Sequence, residues 1–197
     1  MKVTQYLFSV IDLETTGFTP GKHELLTAYV ILTDGEKTLD EKGFKFKPTK
    51  FRPDYHKAYK IHGITIEEAR KHPLKHPQLE LLLNFIPDDS IMVCHSRKAL
   101  GYFDYGFLSI ECYLANMEME FNRTFKWCIS TYDLVYKYGK LKKEEKKKLS
   151  LDKCCEYFDI ELNHHNAESD TKACFELFKR FYNGRKKEIE TSIDFIC

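Results

Sequence analysis

Apolar residues along the chain follow two periods, short strand-like runs and longer stripes at helical spacing, and their order predicts the architecture. Tyr6 to Ile11 is apolar on both faces, the pattern of a central strand covered by helices. Leu25 to Leu32 is a second aliphatic and aromatic run. Gly43-Phe-Lys-Phe-Lys-Pro48 alternates apolar with basic residues, and Asp34-Gly35 supplies a turn between the two, so the first three strands read as an antiparallel meander. The patterning from Pro53 to Pro77 is irregular, with histidines at 56, 62, 72 and 76, which predicts loops and one short helix near Ile66 to Lys71. Pro77 opens a helix over Gln78 to Phe85 that Pro87 and Asp88-Asp89 stop. Ser90 to His95 reads as a buried strand. Phe103, Phe107, Ile110 and Leu114 mark a helix with one apolar face. Phe125 to Ser130 is a further strand, followed by a helix carrying Leu134 and Val135, and Leu151 to Phe158 and Ala167 to Tyr182 are helices. The order predicts an α/β layer fold, a central mixed β-sheet of about five strands flanked by helices. One domain over residues 1–183 is expected, with a charged tail over 184–197 that has room for one more helix near Ile193 to Cys197.

Composition narrows the possibilities. The 197 residues are 43% hydrophobic and 31% charged, enough for one full core. A formal net charge of +1 excludes a histone-like coat, so any polyanion must be held by a local patch or by metal ions. Seven cysteines, odd in number and without a Cys-x-x-Cys pair, read as reduced thiols in a cytoplasmic protein. No signal peptide and no apolar run of membrane-spanning length is visible. Lys137 to Lys148 is lysine-rich. A solvated loop is the plain reading and a phosphate-tracking patch the sharper one.

The chemistry begins at Phe8-Ser-Val-Ile-Asp-Leu-Glu-Thr-Thr-Gly17. Strand side chains alternate faces, so Asp12 and Glu14 point the same way, where Phe8 and Val10 point inward. Two carboxylates that close resist joint ionisation unless a cation joins them, which makes the pair a candidate half-site for Mg²⁺ or Mn²⁺. An acidic turn at Thr15-Thr16-Gly17 fits these residues equally well. Asp170 heads a helical stripe with Cys174, Leu177 and Phe181, where a lone carboxylate would cost several kcal/mol to bury. The helix dipole returns only about 0.3–1 kcal/mol, so a metal is the stronger partner. His165, five residues earlier, cannot share that stripe, but from the turn before the helix, with Asn166 as N-cap, its ring could reach a water at the acids. His164 reads as a surface residue. Asp104 lies beside the apolar stripe of its helix and alone reads as a surface acid.

Together these residues resemble the DEDDh (DnaQ-like) family of 3′-to-5′ exonucleases, the group with an RNase H-like fold that includes the epsilon subunit of DNA polymerase III and RNase T. The first motif is similar in Asp12-Leu13-Glu14-Thr15-Thr16-Gly17, the second in Phe103-Asp104-Tyr105-Gly106-Phe107-Leu108, and the third in His165-Asn166-Ala167-Glu168-Ser169-Asp170, the His-x-Ala-x-x-Asp pattern. Ile61-His62-Gly63-Ile64-Thr65 and Ile129-Ser130-Thr131-Tyr132-Asp133-Leu134 resemble lesser family segments, and the likeness spans about residues 5 to 182. In the family a His-Asn pair usually precedes the second Asp by about five residues. Here Ser96 replaces the Asn, and Arg97 to Tyr102 lengthen the loop.

The resemblance implies a hydrolase that releases nucleoside 5′-monophosphates from single-stranded or frayed 3′ ends. DNA is favoured, with a proofreading role and a DNA polymerase as partner. It implies two Mg²⁺ ions, replaceable by Mn²⁺, roughly 3.5–4 Å apart, held by Asp12, Glu14, Asp104 and Asp170 with Asp12 bridging, and His165 as general base. It also implies that Leu13, Thr15, Thr16, Ile61 and His62 frame the 3′ end, with Ser96 at a further substrate contact. The alternatives are the same chemistry on RNA, and a catalytically silent nucleic-acid-binding or polymerase-associated scaffold. Gln78-Leu-Glu-Leu-Leu-Leu83 loosely resembles a sliding-clamp peptide but falls in an apolar helix. Nothing in the sequence favours one oligomeric state.

Overall fold

A computed structural model describes residues 6–97, 102–147, 149–163 and 166–194. The first half holds strands β1 (Phe8–Thr15), β2 (Leu25–Thr33) and β3 (Thr38–Lys45), helices α1 (Tyr55–His62), α2 (Ile66–Arg70) and α3 (Lys75–Phe85), and strand β4 (Ser90–Cys94). The second half holds helices α4 (Phe103–Leu114) and α5 (Glu118–Thr124), strand β5 (Phe125–Ser130), and helices α6 (Thr131–Tyr138), α7 (Leu151–Phe158), α8 (Ala167–Asn183) and α9 (Lys186–Asp194). The strands form one mixed sheet in the order β3-β2-β1-β4-β5. β1, β2 and β3 are antiparallel neighbours, whereas β4 and β5 join parallel to β1.

Strand alternation sorts the core into two layers. Ile11, Leu13, Ala28 and Met92 face α3, α4 and α5, with Leu79, Leu82, Leu83, Phe107 and Leu108 packed against them. Phe8, Val10, Ile31, Ile91 and Val93 face the other way, onto α6, α7 and α8. There Phe8 meets Phe178 and Tyr182 at ring separations of 4.9 and 5.0 Å. Such pairs add about 0.5–1.5 kcal/mol each to the area they bury, and they set the height of α8 against β1. Among the described residues no helix is long and apolar enough to cross a membrane.

The elements differ from the sequence expectation where tertiary contacts outweigh local pattern. β1 extends past the apolar run and through Asp12 and Glu14 to Thr15, because pairing with β2 carries it there. β3 begins at Thr38 and ends at Lys45, earlier than the Gly43 to Pro48 run. It is an outer strand held by its ladder to β2 and buries only Phe44, so it has no alternating pattern to read. α1 and α5 fall in stretches without helical periodicity. α1 buries only Tyr55 and Ala58 and ends at Gly63, whose φ of 69° is the left-handed conformation of a helix C-cap. α3 starts at Lys75, with Pro77 inside its first turn. The last helix is α9, earlier than Ile193 to Cys197, of which 195–197 lie outside the described residues. Its Ile189 is buried beside α8, and Tyr182 donates to Glu190 at 2.7 Å.

One buried ionic cluster ties three elements together. Lys75 Nζ lies 2.8 Å from Glu24 Oε2 and 2.7 Å from Glu111 Oε2. Glu24 also accepts from the backbone N–H groups of Thr49 and Lys50 and from the Thr49 hydroxyl. Burial alone would raise the Glu24 pKa, but the Lys75 and Thr49 hydrogen bonds outweigh it and the net shift is downward. Burial raises the Glu111 pKa despite Lys75. Substituting Lys75→Met should leave both acids buried without their cation and lower the unfolding free energy at neutral pH by about 3 kcal/mol in urea titrations. A change under about 0.5 kcal/mol, the level of an ordinary surface substitution, would mean the cluster is not supporting the fold.

Candidate active site

The register of β1 creates the site. Parallel pairing with β4 stops at Val10↔Val93, while pairing with β2 continues to Thr15. The strand therefore projects beyond its parallel neighbour, and its last residues have a free edge at the carboxyl end of the sheet, the usual place for a site in α/β folds. Asp12 and Glu14 continue the face of Phe8 and Val10 toward α8.

Asp170 reaches them from the first turn of α8. That helix begins where Asn166 accepts from the Glu168 N–H at 2.9 Å, an N-cap that fixes the helix start and so the height of Asp170. Carboxylate oxygens of Asp12, Glu14 and Asp170 all lie within 4.8 Å of one another. Asp104 comes from the opposite layer, in the first turn of α4. It is 4% exposed rather than the surface acid its sequence context indicates. Its carboxylate accepts from the Leu13 N–H on the free edge of β1 and from the Cys94 thiol.

Burial and neighbouring charges raise the pKa values of Asp12 and Glu14, and burial raises that of Asp104. Asp12 stands well above the usual carboxylate range because of burial first, then the charges of Asp104, Glu14 and Asp170. Glu14 is pushed up to about 8 by burial and by Asp170 and Asp104. Burial takes Asp104 to about 7 despite its hydrogen bonds from Leu13 and Cys94. Among the described residues no lysine or arginine forms an ion pair with Asp12, Glu14 or Asp104. An all-oxygen set of converging acids fits a hard divalent ion, Mg²⁺ or Mn²⁺, and fits a thiophilic metal poorly.

The remaining sequence-predicted residues are dispersed around this centre. His165 and its neighbour His164 lie outside the described residues. Leu13 is 5% exposed, its side chain in the core and only its N–H turned to the site. Thr15 and Thr16 spend their hydroxyls on the turn: Thr15 donates to the Gly17 carbonyl, and Thr16 accepts from the Glu24 N–H at 2.9 Å. A Cβ on Gly17 would enter the His23 ring, so only glycine fits there. His23 in turn accepts from the Thr19 N–H and faces Asp54 at 3.3 Å, which moors α1 to the turn. Sequence reading missed both residues, since neither belongs to a motif. Ile61 is 42% exposed. His62 lines a cleft of about 370 Å³ beside Glu14, with Tyr29 and Gly43 below and Ile64 and Asn166 on its walls. Ser96 lies outside that cleft lining, at the end of β4, where its N–H donates to Ser130 and its hydroxyl sits 3.3 Å from Cys94 Sγ.

Comparison with known proteins places this geometry. A family model described as an exonuclease, of RNase T type, matches residues 9–178. A PolC-type DNA polymerase III of Thermotoga maritima is 30% identical over 181 residues, 91% of this chain but 12% of that protein. A DNA polymerase III epsilon subunit of Rickettsia conorii is 30% identical over 102 residues, 52% of this chain and 42% of that protein. The chain therefore spans less than half the length of these relatives. Among solved structures, Escherichia coli exonuclease I in complex with a dT13 oligonucleotide superimposes with a TM-score of 0.78 at 19% identity, covering 95% of this chain and 43% of the other. At that identity the likeness establishes the RNase H-like fold.

With chelator present, the three raised carboxyls bind protons in the folded protein that the unfolded chain has released, so stability should fall as pH rises from about 4 to about 8. Added Mg²⁺ should flatten that slope. At pH 8 without metal, Asp12→Asn should raise Tm by about 2–8 °C. A pH-independent Tm in chelator, or a lower Tm for the variant, would contradict the crowding of charge inferred for this centre.

Proposed function

The chain belongs to the RNase T-type exonuclease family, and from that membership we propose that it is a metal-dependent 3′-to-5′ exonuclease releasing nucleoside 5′-monophosphates from single-stranded or frayed DNA ends. The observation that carries this reading is the convergence of Asp12, Glu14 and Asp170 within 4.8 Å, with Asp104 hydrogen-bonded beside them. These four acids would hold the metal ions. When bound, Mg²⁺ supplies Lewis acidity toward the scissile phosphate and offsets its charge.

The chain's own groups do the rest. The cleft beside Glu14 takes the terminal nucleotide, with His62 and Ile64 along one wall. Stacking in such a pocket is worth about 1–3 kcal/mol per base and tolerates any sequence, so little base preference is expected. His165 stands immediately before the Asn166 cap in sequence, and an imidazole is suited to take the proton of the attacking water. The buried turn Thr15-Thr16-Gly17, locked by Glu24 and His23, keeps the strand end rigid while the substrate is held. The sequence relatives are named as DNA polymerase III proteins, which supports an association with a DNA polymerase, and a proofreading role is proposed with it.

Digestion of 5′-labelled single-stranded DNA with Mg²⁺ should give a ladder of one-nucleotide steps, absent in EDTA. Asp12→Ala should abolish it, and His165→Ala should reduce kcat by about 10²–10⁴. Full activity of Asp12→Ala would overturn the metal scheme. Equal rates on a matched RNA would remove the DNA preference while leaving the chemistry intact.

A further inference from the structure

The lysine-rich segment, 137–148, holds seven lysines and two glutamates, so it is five charges positive in a chain whose total is +1. It leaves the end of α6 and returns to the carboxyl edge of the sheet, where Leu149 is buried. The Leu149 carbonyl can only accept, so His95 Nε2 donates to it at 2.8 Å, and His95 Nδ1 is the acceptor facing the Thr131 hydroxyl. His95 follows Cys94, whose thiol bonds Asp104. The fold therefore moors the positive segment one residue from a partner of the acidic centre.

Aromatic rings line the way there. Tyr132 and Tyr136 stand four residues apart on α6, about 6 Å along the helix axis on the same stripe. Arg97 lies 5.1 Å over the Tyr132 ring and Lys146 lies 4.9 Å over Tyr136, which is 52% exposed. Beyond them Lys140, Lys142 and Lys143 are exposed and, among the described residues, make no side-chain ion pair. The exposed Tyr136 ring and the half-buried Tyr132 ring, alternating with cations, offer flat faces to bases and charge to the phosphates between them, a combination suited to a single strand. An acidic peptide would use the charge but not the faces.

We propose that α6 and the lysine segment form a track for the single-stranded nucleic acid upstream of the 3′ end, with Tyr132 and Tyr136 as stacking platforms and Lys140, Lys142 and Lys143 on the phosphates. The track rests on the nuclease reading for its connection to the site, but its binding can be measured apart from hydrolysis.

The test compares wild type with Tyr136→Ala and with the double variant Lys142→Glu/Lys143→Glu, all surface changes. Labelled oligothymidylate of about 20 nucleotides is bound in EDTA at several salt concentrations. The same oligomer and a thymidine dinucleotide are then digested with Mg²⁺. Each variant should weaken oligomer binding about tenfold, and the lysine pair should make the salt dependence shallower by about one to two units of slope. The KM for the oligomer should rise in step, while kcat/KM for the dinucleotide stays within about twofold. Unchanged oligomer binding, equal losses on both substrates, or competition by polyglutamate as effective as by the oligomer would overturn the track. Wild type that binds the oligomer but hydrolyses neither substrate would refute the nuclease reading and leave the track standing on its binding data.

Discussion

Acids drawn out of water and crowded against one another dominate this molecule. Asp12, Glu14, Asp104 and Asp170 come from a strand and two helices on opposite layers, and bringing them together costs the fold energy in both desolvation and repulsion. That cost has to be met elsewhere. The ring cluster of Phe8, Phe178 and Tyr182 clamps α8 to β1, and the Leu13 N–H and Cys94 thiol give Asp104 hydrogen bonds where no ammonium stands.

A second set of buried acids shows the contrast. Glu24 and Glu111 are also withdrawn from solvent, yet Lys75 sits between them and the Glu24 pKa falls. In that cluster one ammonium lies within ion-pair distance of both acids, although burial still raises the Glu111 pKa. The carboxylates at the end of β1 have no such answer among the described residues, and their pKa values rise instead. Burial with an internal cation makes a structural joint, whereas crowded buried acids make a centre suited to a metal ion. The two clusters meet through the turn after β1, because Glu24 lends its backbone to Thr16 while its side chain binds Lys75.

Element types were largely legible along the chain, because β1, β2, β4, β5, α4, α7 and α8 each carry an apolar period that local sequence displays. The elements that escaped, α1 and α5, bury too few side chains to leave a period, and β3 is held mainly by its backbone ladder, with Phe44 its one buried side chain. The candidate acids were legible for a related reason. A carboxylate at an inward-facing position breaks an apolar pattern, and Asp12, Glu14 and Asp170 each do so.

The sequence by itself determined which residues are costly to bury and which elements carry them, since charge and periodicity are local properties. Only the tertiary structure decided that Asp104 is buried rather than a surface acid, that the Leu13 side chain serves the core, and that the Thr15 and Thr16 hydroxyls are consumed by their own turn. Those outcomes depend on where β1 outruns β4 and on which layer each helix covers. Both are set by contacts between residues tens of positions apart, which no local pattern encodes.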